Sequence, residues 1–153
     1  MANGANKIGI AYPFQDSRVG DYVELTSTVE AEVRSELIHL LLTRKGSRFF
    51  LPDFGTRLYE FIFEQMDDNT YNRIDAEIRE QIGIYLPNIR INKLTVTALT
   101  QEDEINLAIP ENSDDRLYRL PGRNTSEYTA KIKIDYSITN NSFETRDFVI
   151  INI

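Results

Sequence analysis

The side chains best suited to chemistry in this sequence are the carboxylates of Glu60 and Glu64, which are spaced one helical turn apart. Glycoside hydrolysis needs two such groups, and an apolar environment must keep one of them protonated. The neighbouring Phe61 and Phe63 would supply that environment. Carboxylates at this spacing are also common on solvated helix faces, and Asp67-Asp68 has the residue types of a helix start. A cell-wall glycoside hydrolase is therefore an alternative and not the main interpretation.

The other chemistry-bearing residues fit no known kind of catalytic or metal site. The chain has one histidine, His39, and no cysteine, which excludes thiolate sites, disulfides and sites built from two histidines of one chain. Asp53-Phe54-Gly55 matches the magnesium-binding triplet of protein kinases, but the glycine-rich and catalytic loops of a kinase are missing. The acidic runs 102–104 and 114–115 lack the spacing of a calcium-binding loop. The sequence predicts no enzymatic activity, no cofactor and no metal.

The composition describes one acidic domain. The 153 residues suffice for a single domain with its own core, and we expect that domain to span residues 1–153. There are 17 basic and 24 acidic residues, and the net charge of -7 argues against nucleic acid as a partner. No apolar run approaches the ~20 residues of a membrane span, and the first residues have no secretory signal pattern. We therefore expect neither nucleic acid nor a membrane as a partner.

Three helices are predicted to position the candidate residues. The first begins with a capping-box pattern at Ser27 and ends near Gly46. The second spans about 56–65 and is apolar nearly all round. The third runs from the start signal at 67–70 to Pro87, which cannot continue a helix. Residues 1–25 precede them as an extended N-terminal arm.

The rest of the chain changes to the alternating pattern of β-strands. A phase shift near Asn92-Lys93 predicts a bulge in the first strand. Residues 110–124 carry a Pro-Gly pair and an acidic pair, so we expect an exposed loop there. The fold class is α+β, with about three N-terminal helices followed by a small antiparallel sheet of about four strands. The predicted strands are 89–98, 105–109, 128–138 and 143–153.

Two segments have the composition of protein-binding surfaces. Residues 46–55 cannot form one regular element, yet they carry three phenylalanines and a leucine, so they must pack on the domain or on another protein. Basic residues surround them, as around the aromatic anchors of an interface, although the same phenylalanines would also fill a core. The C-terminal segment 148–153 is apolar on both faces. Such a strand lies inside a sheet or offers its edge to a partner's strand.

Four short stretches carry a resemblance to a known family. They are 41–48 (LLTRKGSR), 51–55 (LPDFG), 58–64 (LYEFIFE) and the turn 85–90 (YLPNIR). Together they resemble the gp25-like family, the baseplate wedge subunits and sheath initiators of contractile tails, including the TssE-type subunit of type VI secretion. The family's turn carries Glu and Arg beside its proline. Here Leu86 and Asn88 replace them, and Arg90 offers a cation two residues later.

The resemblance implies a structural role in the baseplate of a contractile injection machine, with a phage tail as the first choice, assembled in the host cytoplasm. The implied partners are the core bundle of the larger baseplate wedge proteins, the sheath protein, and tube or hub proteins as further candidates. The sheath would add strands to the C-terminal sheet. A free-standing acidic adaptor that binds peptides at its sheet edge is a second alternative. The implicated residues are Arg44, Arg48, Pro52, Asp53, Phe54 and Gly55 in the loop, Pro87, Asn88 and Arg90 in the turn, and Phe148, Val149, Ile150, Ile151 and Ile153 in the last strand.

Overall fold

A computed structural model describes residues 7–12, 14, 16–17, 22–61, 63–65, 67–98, 117–119, 130–139 and 144–152. Helices come first and the main sheet follows, so the α+β layout is confirmed at this level. The helices are α1 (Val29–Leu42), α2 (Leu58–Phe61) and α3 (Asp68–Tyr85). The strands are β1 (Gly9–Ile10), β2 (Leu25–Thr26), β3 (Ile89–Ala98), β4 (Leu117–Arg119), β5 (Ala130–Thr139) and β6 (Glu144–Asn152).

Side-chain caps fix where the two long helices begin. Thr28 caps α1, because its hydroxyl accepts a hydrogen bond from the backbone N–H of Ala31, 3.2 Å away. The predicted cap at Ser27 is therefore wrong by one residue. Asp67 caps α3 as its residue type indicates, since its carboxylate accepts from the N–H of Thr70 at 2.8 Å. The α3 helix ends at Tyr85, two residues before Pro87.

The main sheet has the strand order β3-β5-β6-β4. Neighbours β3, β5 and β6 are antiparallel, as predicted, and the register of β3 shifts between Ile91 and Lys93, which confirms the bulge. β4 is not one of the predicted strands, and it pairs with β6 in parallel. A second small sheet joins β1 to β2 and brings the N-terminal segment beside α1.

The predicted loop 110–124 contains a strand, which corrects that assignment. Leu117–Arg119 pair in parallel with Ile150–Asn152, and this ladder satisfies backbone groups that an exposed loop would leave to water. The predicted strand 105–109 lies outside the residues that the structure describes.

The core lies between α1, α3 and one face of the main sheet. Its fully buried members include Leu37, Leu41, Ile78, Ile134 and Ile151, which come from both helices and from β5 and β6. Their helical spacing in α1 and α3 and alternation in the strands explain why these segments take these forms. Within the described part of the chain, no helix has the length and apolar character to cross a membrane.

A charged contact ties α1 to β6 across this core. The guanidinium of Arg34 donates two hydrogen bonds to one carboxylate oxygen of Asp147, the bond from Nε being 2.9 Å long. The hydroxyl of Tyr136 donates a third at 3.2 Å. Burial and the neighbouring Asp147 charge raise the pKa of Tyr136, which keeps its phenol protonated as a donor.

Candidate protein-binding surfaces

The aromatic loop, defined as residues 44–57, is closed at its base by backbone hydrogen bonds. The N–H of Thr56 donates to the carbonyl of Thr43 at 2.8 Å, and that of Lys45 donates to the carbonyl of Thr56 at 3.0 Å. The N–H of Gly46 reaches the carbonyl of Pro52 at 2.7 Å, and the buried Thr56 hydroxyl donates to the carbonyl of Leu41 at 2.8 Å. The loop is therefore held in one shape on the end of α1.

Glycines allow this closure at two points of the loop. Gly46 and Gly55 have φ angles of +86° and +111°, a region that L side chains rarely adopt. Gly55 is buried, and a Cβ there would lie 2.3 Å from the carbonyl oxygen of Thr43. A Cβ at Gly46 would meet nothing within 4 Å. Of the two, only Gly55 is required by close backbone approach as well as by φ.

The tip of the loop presents two phenylalanine rings to solvent. Phe49 and Phe50 are each 91% exposed, and Leu51 is 53% exposed. The two rings meet edge to face, with centroids 5.2 Å apart. The prediction is that the apolar residues of 46–55 pack on the domain or on another protein. Packing on the domain is wrong for Phe49 and Phe50, which remain exposed, whereas Phe54 does pack on the domain. Large apolar side chains left exposed together are typical of interaction sites.

Behind the tip, Phe54 and Arg48 pack into an aromatic cluster around His39. The ring of Tyr12 stacks on His39 with centroids 4.9 Å apart, and Phe54 meets His39 edge to face at 5.6 Å. The guanidinium of Arg48 lies 4.1 Å from the Phe54 ring centroid. Phe54 also contacts Tyr85 at the end of α3, with centroids 5.1 Å apart. Arg48 and Phe54 are therefore scaffold residues that join four segments of the chain.

The charge state of His39 follows from its contact with Arg48. Nη2 of Arg48 lies 2.8 Å from Nε2 of His39. A guanidinium has only donors, so Nε2 must accept and the ring must be neutral with its hydrogen on Nδ1. Burial and the positive charge of Arg48 lower the pKa of His39, which agrees with a neutral ring.

Three of the four remaining predicted loop residues lie on the surface. Arg44, Pro52 and Asp53 are exposed, whereas Gly55 is buried at the base. Arg44 takes part in the base through a parallel backbone bridge with Thr56. The structure thus divides the predicted loop residues into surface side chains and scaffold side chains.

The proline turn lies at one edge of the main sheet. Pro87, Asn88 and Arg90 are exposed, and the carbonyl of Asn88 accepts from the N–H of Thr139 at 3.0 Å. Arg90 is the second residue of β3, which pairs with β5 and stands at one end of the strand order among the described residues. The three predicted turn residues are therefore brought together at the start of β3, the outermost described strand on that side of the sheet.

The C-terminal strand lies inside the sheet over its last described residues. β6 pairs with β5 along Glu144–Asn152 and with β4 along Ile150–Asn152. The side chains of Val149 and Ile151 are buried in the core, and Ile150 on the opposite face is half-buried. Phe148 is described as strand backbone, and Ile153 lies outside the described residues. The side chains of Val149 and Ile151 therefore stabilise the fold and do not face a partner.

The paired carboxylates lie on the surface and not in an apolar pocket. Glu60 is exposed, and the carboxylate of Glu64 binds the guanidinium of Arg73, so the structure places neither in an apolar pocket. Asp67 is the α3 cap. In the described portion of the chain, no three His, Cys, Asp or Glu side chains are grouped to hold a metal ion. Nothing in this geometry favours the hydrolase alternative.

The sequence analysis did not separate the tip from the rest of the loop. Phe49 and Phe50 are absent from the predicted site residues, although they are the most exposed aromatic side chains of the loop. The signal was available: they lie between Gly46 and Pro52, where no regular element can turn them inward. The Arg34–Asp147 pair was also missed, because 113 residues separate its members and no local pattern connects them.

Comparison with known proteins identifies a family and a relative that match this sequence. The family model of the baseplate wedge protein gp25 matches residues 27–118. Baseplate wedge protein gp25 of Enterobacteria phage T4 is 34% identical over 89 residues, an alignment that spans 54% of this chain and 66% of the T4 protein. That alignment thus spans just under two thirds of the curated relative's length.

Solved structures add a fold match. A chain of the anti-feeding prophage baseplate superposes with a TM-score of 0.54 and 28% identity, covering 61% of this chain and 73% of that one. A Geobacter sulfurreducens protein called a candidate tail lysozyme superposes with a TM-score of 0.57, covering 85% and 94% of the two chains. At 21% identity, the second match shows the fold alone.

Proposed function

Because this chain belongs to the family of the baseplate wedge protein gp25, we propose that it is a structural baseplate component that binds the larger wedge proteins and starts the first sheath ring. It works in the tail baseplate of a phage or a related contractile particle, and it is assembled in the host cytoplasm. In this role it catalyses no reaction. Its contacts to the wedge core bundle, to the sheath and to neighbouring tube or hub proteins are made by backbone edges and surface side chains.

The observation that carries the proposal is the order of strands in the main sheet. Among the described strands, β3 stands at one end of the sheet, and β6 near the other end is covered only by the three residues of β4. Open or thinly covered edges accept strands from other proteins through main-chain hydrogen bonds. The two sides of the sheet give the protein two separate contacts, one for the sheath and one for the wedge core bundle.

We assign the sheath to the β6 side. The backbone of Ile150–Asn152 is paired with β4 over three residues in parallel, a pairing that is slightly weaker per residue than an antiparallel one. A longer incoming strand gains more main-chain hydrogen bonds than this ladder holds, and it takes the place of β4 beside the C-terminal strand. A contact of this kind repeats from ring to ring without closing, which suits a template for a helical sheath.

We assign the wedge core bundle to the β3 side. Pro87, Asn88 and Arg90 are exposed together at the start of β3, which stands at one end of the described strand order. Arg90 supplies a cation at this edge in an otherwise acidic chain of net charge -7. Charges at an interface rim set orientation and the rate of association more than the final affinity.

Cysteine crosslinking tests both assignments, because the chain has no cysteine of its own. Ile150→Cys is expected to crosslink to the sheath protein in assembled particles, and Arg90→Cys to a larger wedge protein. Each variant is the control for the other. Sheath crosslinks from position 90 alone, or from neither position, would contradict the assignment. Deleting residues 148–153 is a poorer test, because it also removes Val149 and Ile151 from the core.

Removal of the whole gene tests the broader role. A producing strain without this chain is expected to release no sheathed particles, and the intact chain restores them. Normal sheathed particles from the deletion strain would overturn the proposed function. A zymogram on purified protein addresses the hydrolase alternative: lysis that Glu60→Gln abolishes would replace the structural role with an enzymatic one.

A further inference from the structure

We propose that the tip of the aromatic loop, Phe49 and Phe50, is an anchor that inserts into an apolar pocket rimmed by carboxylates on a larger wedge protein. This inference rests on the proposed function and adds a third contact to it, separate from both sheet edges. Buried aromatic anchors provide most of the binding energy at many interfaces. No role in the fold accounts for the two rings, since each is 91% exposed.

The rigid base of the loop is the first argument for an anchor. Backbone bonds from Lys45, Gly46 and Thr56 close the loop behind the tip, and the Phe54 N–H donates to the carbonyl of Leu51 at 3.1 Å. Phe54 itself is held between Arg48 and Tyr85. The two tip rings already contact each other edge to face. A pre-organised anchor loses little conformational entropy on binding, which favours affinity.

Charge identifies the kind of pocket. The loop carries four basic residues and one acidic residue over 44–57, a net charge of +3, while the whole chain has a net charge of -7. The side chains of Arg44 and Arg57 are exposed beside the loop. A partner that buries the two rings must also face these cations, so we infer carboxylates around an apolar pocket.

The positive charge of the loop also argues against a second copy of this chain as the partner that buries the two rings. In a two-fold pair the same patch lies on both sides of the contact, so Arg44 and Arg57 of one copy would face those of the other. Like charges placed together at an interface are unfavourable. The charge of the loop therefore favours a different protein as the partner.

Photocrosslinking from the tip identifies the occupant directly. Phe49→p-benzoyl-phenylalanine is introduced into the full chain as its only copy in a producing strain, and assembled particles are irradiated and digested. We expect crosslinks to a wedge protein at a segment that combines aliphatic residues with Asp or Glu. Crosslinks to a second copy of this chain, to the sheath, or to no protein would overturn the proposal.

Substitution measures how much the tip contributes. Phe49→Ser with Phe50→Ser is expected to lower the amount of this chain in purified baseplates about 30-fold, the change expected for one interface hot spot. Phe63→Ser is the matched control, because Phe63 is 90% exposed and lies outside the loop. Both variants should melt at the temperature of the unchanged protein, since neither removes a buried side chain. Equal baseplate content for the two variants would overturn the proposal.

The outcomes also separate this inference from the proposed function. If the deletion strain lacks sheathed particles while the double serine variant enters baseplates normally, only the anchor is wrong. If the deletion strain makes normal particles, the proposed function is wrong as well. Arg44→Glu with Arg57→Glu tests the carboxylate rim, because it places negative charges opposite the inferred carboxylates and should lower the amount of this chain in baseplates. An unchanged amount would show that the pocket has no carboxylate rim.

Discussion

Gly55 offers the sharpest test of the loop's architecture, with Gly46 as its matched control. Replacement by alanine places a side chain at positive φ in both cases, at a cost of about 1–2 kcal/mol. Only at Gly55 does the new Cβ lie 2.3 Å from the Thr43 carbonyl oxygen, where ordinary contacts begin at 3.4 Å. Because that atom is backbone, no side-chain rotation can relieve the contact, and the loop base must open.

Opening the base disturbs two backbone hydrogen bonds of Thr56, which join it to the residues just after α1. Its N–H donates to Thr43 and its carbonyl accepts from Lys45, and each such bond contributes about 1 kcal/mol. Gly55→Ala is therefore expected to lower the free energy of unfolding by about 3–4 kcal/mol, and Gly46→Ala by about 1–2 kcal/mol. For a chain of this size, the difference corresponds to melting temperatures about 4–8 °C apart.

Thermal and urea unfolding followed by circular dichroism measure both variants under one set of conditions. The comparison needs no knowledge of any partner, because it concerns the isolated domain. If Gly55→Ala proves as stable as Gly46→Ala, the close approach of Gly55 to Thr43 is wrong and the described loop base is wrong with it.

Two further predictions concern groups that join α1 to the rest of the chain. Asp147→Asn leaves the partly buried Arg34 guanidinium without its counter-charge, so urea unfolding should show a loss of about 2 kcal/mol; an unchanged midpoint would contradict a structural role for this pair. For His39, folding favours the neutral ring and lowers its pKa, so this contribution is complete above the ordinary value of 6.5 and is lost as the pH falls below it. His39→Gln should therefore flatten the loss of stability between pH 7 and pH 5, measured by urea midpoints, and an equally steep loss in that variant would remove His39 as the cause.

Much of the fold was predictable because local patterns and the core agree. The face of α3, from Tyr71 through Ile78 to Tyr85, repeats at helical spacing, and its Asp67 cap and Pro87 stop are both local signals. The bulge in β3 was visible as a change of phase in the alternation. These features follow from a few neighbouring residues, and the tertiary contacts of the fold favour the same local structure.

The missed features depend on contacts between distant segments. The pairing of β4 with β6 joins residues more than 30 positions apart, and its parallel direction leaves no trace in the sequence of either strand. α2 is shorter than predicted, because an apolar stretch does not show whether its ends remain helical. The sequence identifies the loop as apolar. Whether the rings of Phe49 and Phe50 are buried depends on the backbone contacts at Gly55 and Thr56 that close the loop, and these contacts join distant segments.

The arrangement of strands also has a mechanical consequence. A load passing across the described strands from β3 to β4 must cross three successive ladders, β3 to β5, β5 to β6 and β6 to β4. Neighbouring strands lie about 4.8 Å apart, so the path is short and stiff. Tension directed along the strands would strain all the bonds of a ladder together, whereas tension across them would unzip the bonds one after another. The angle at which a contracting particle pulls on this domain therefore decides whether it resists as a rigid coupling or yields from one end.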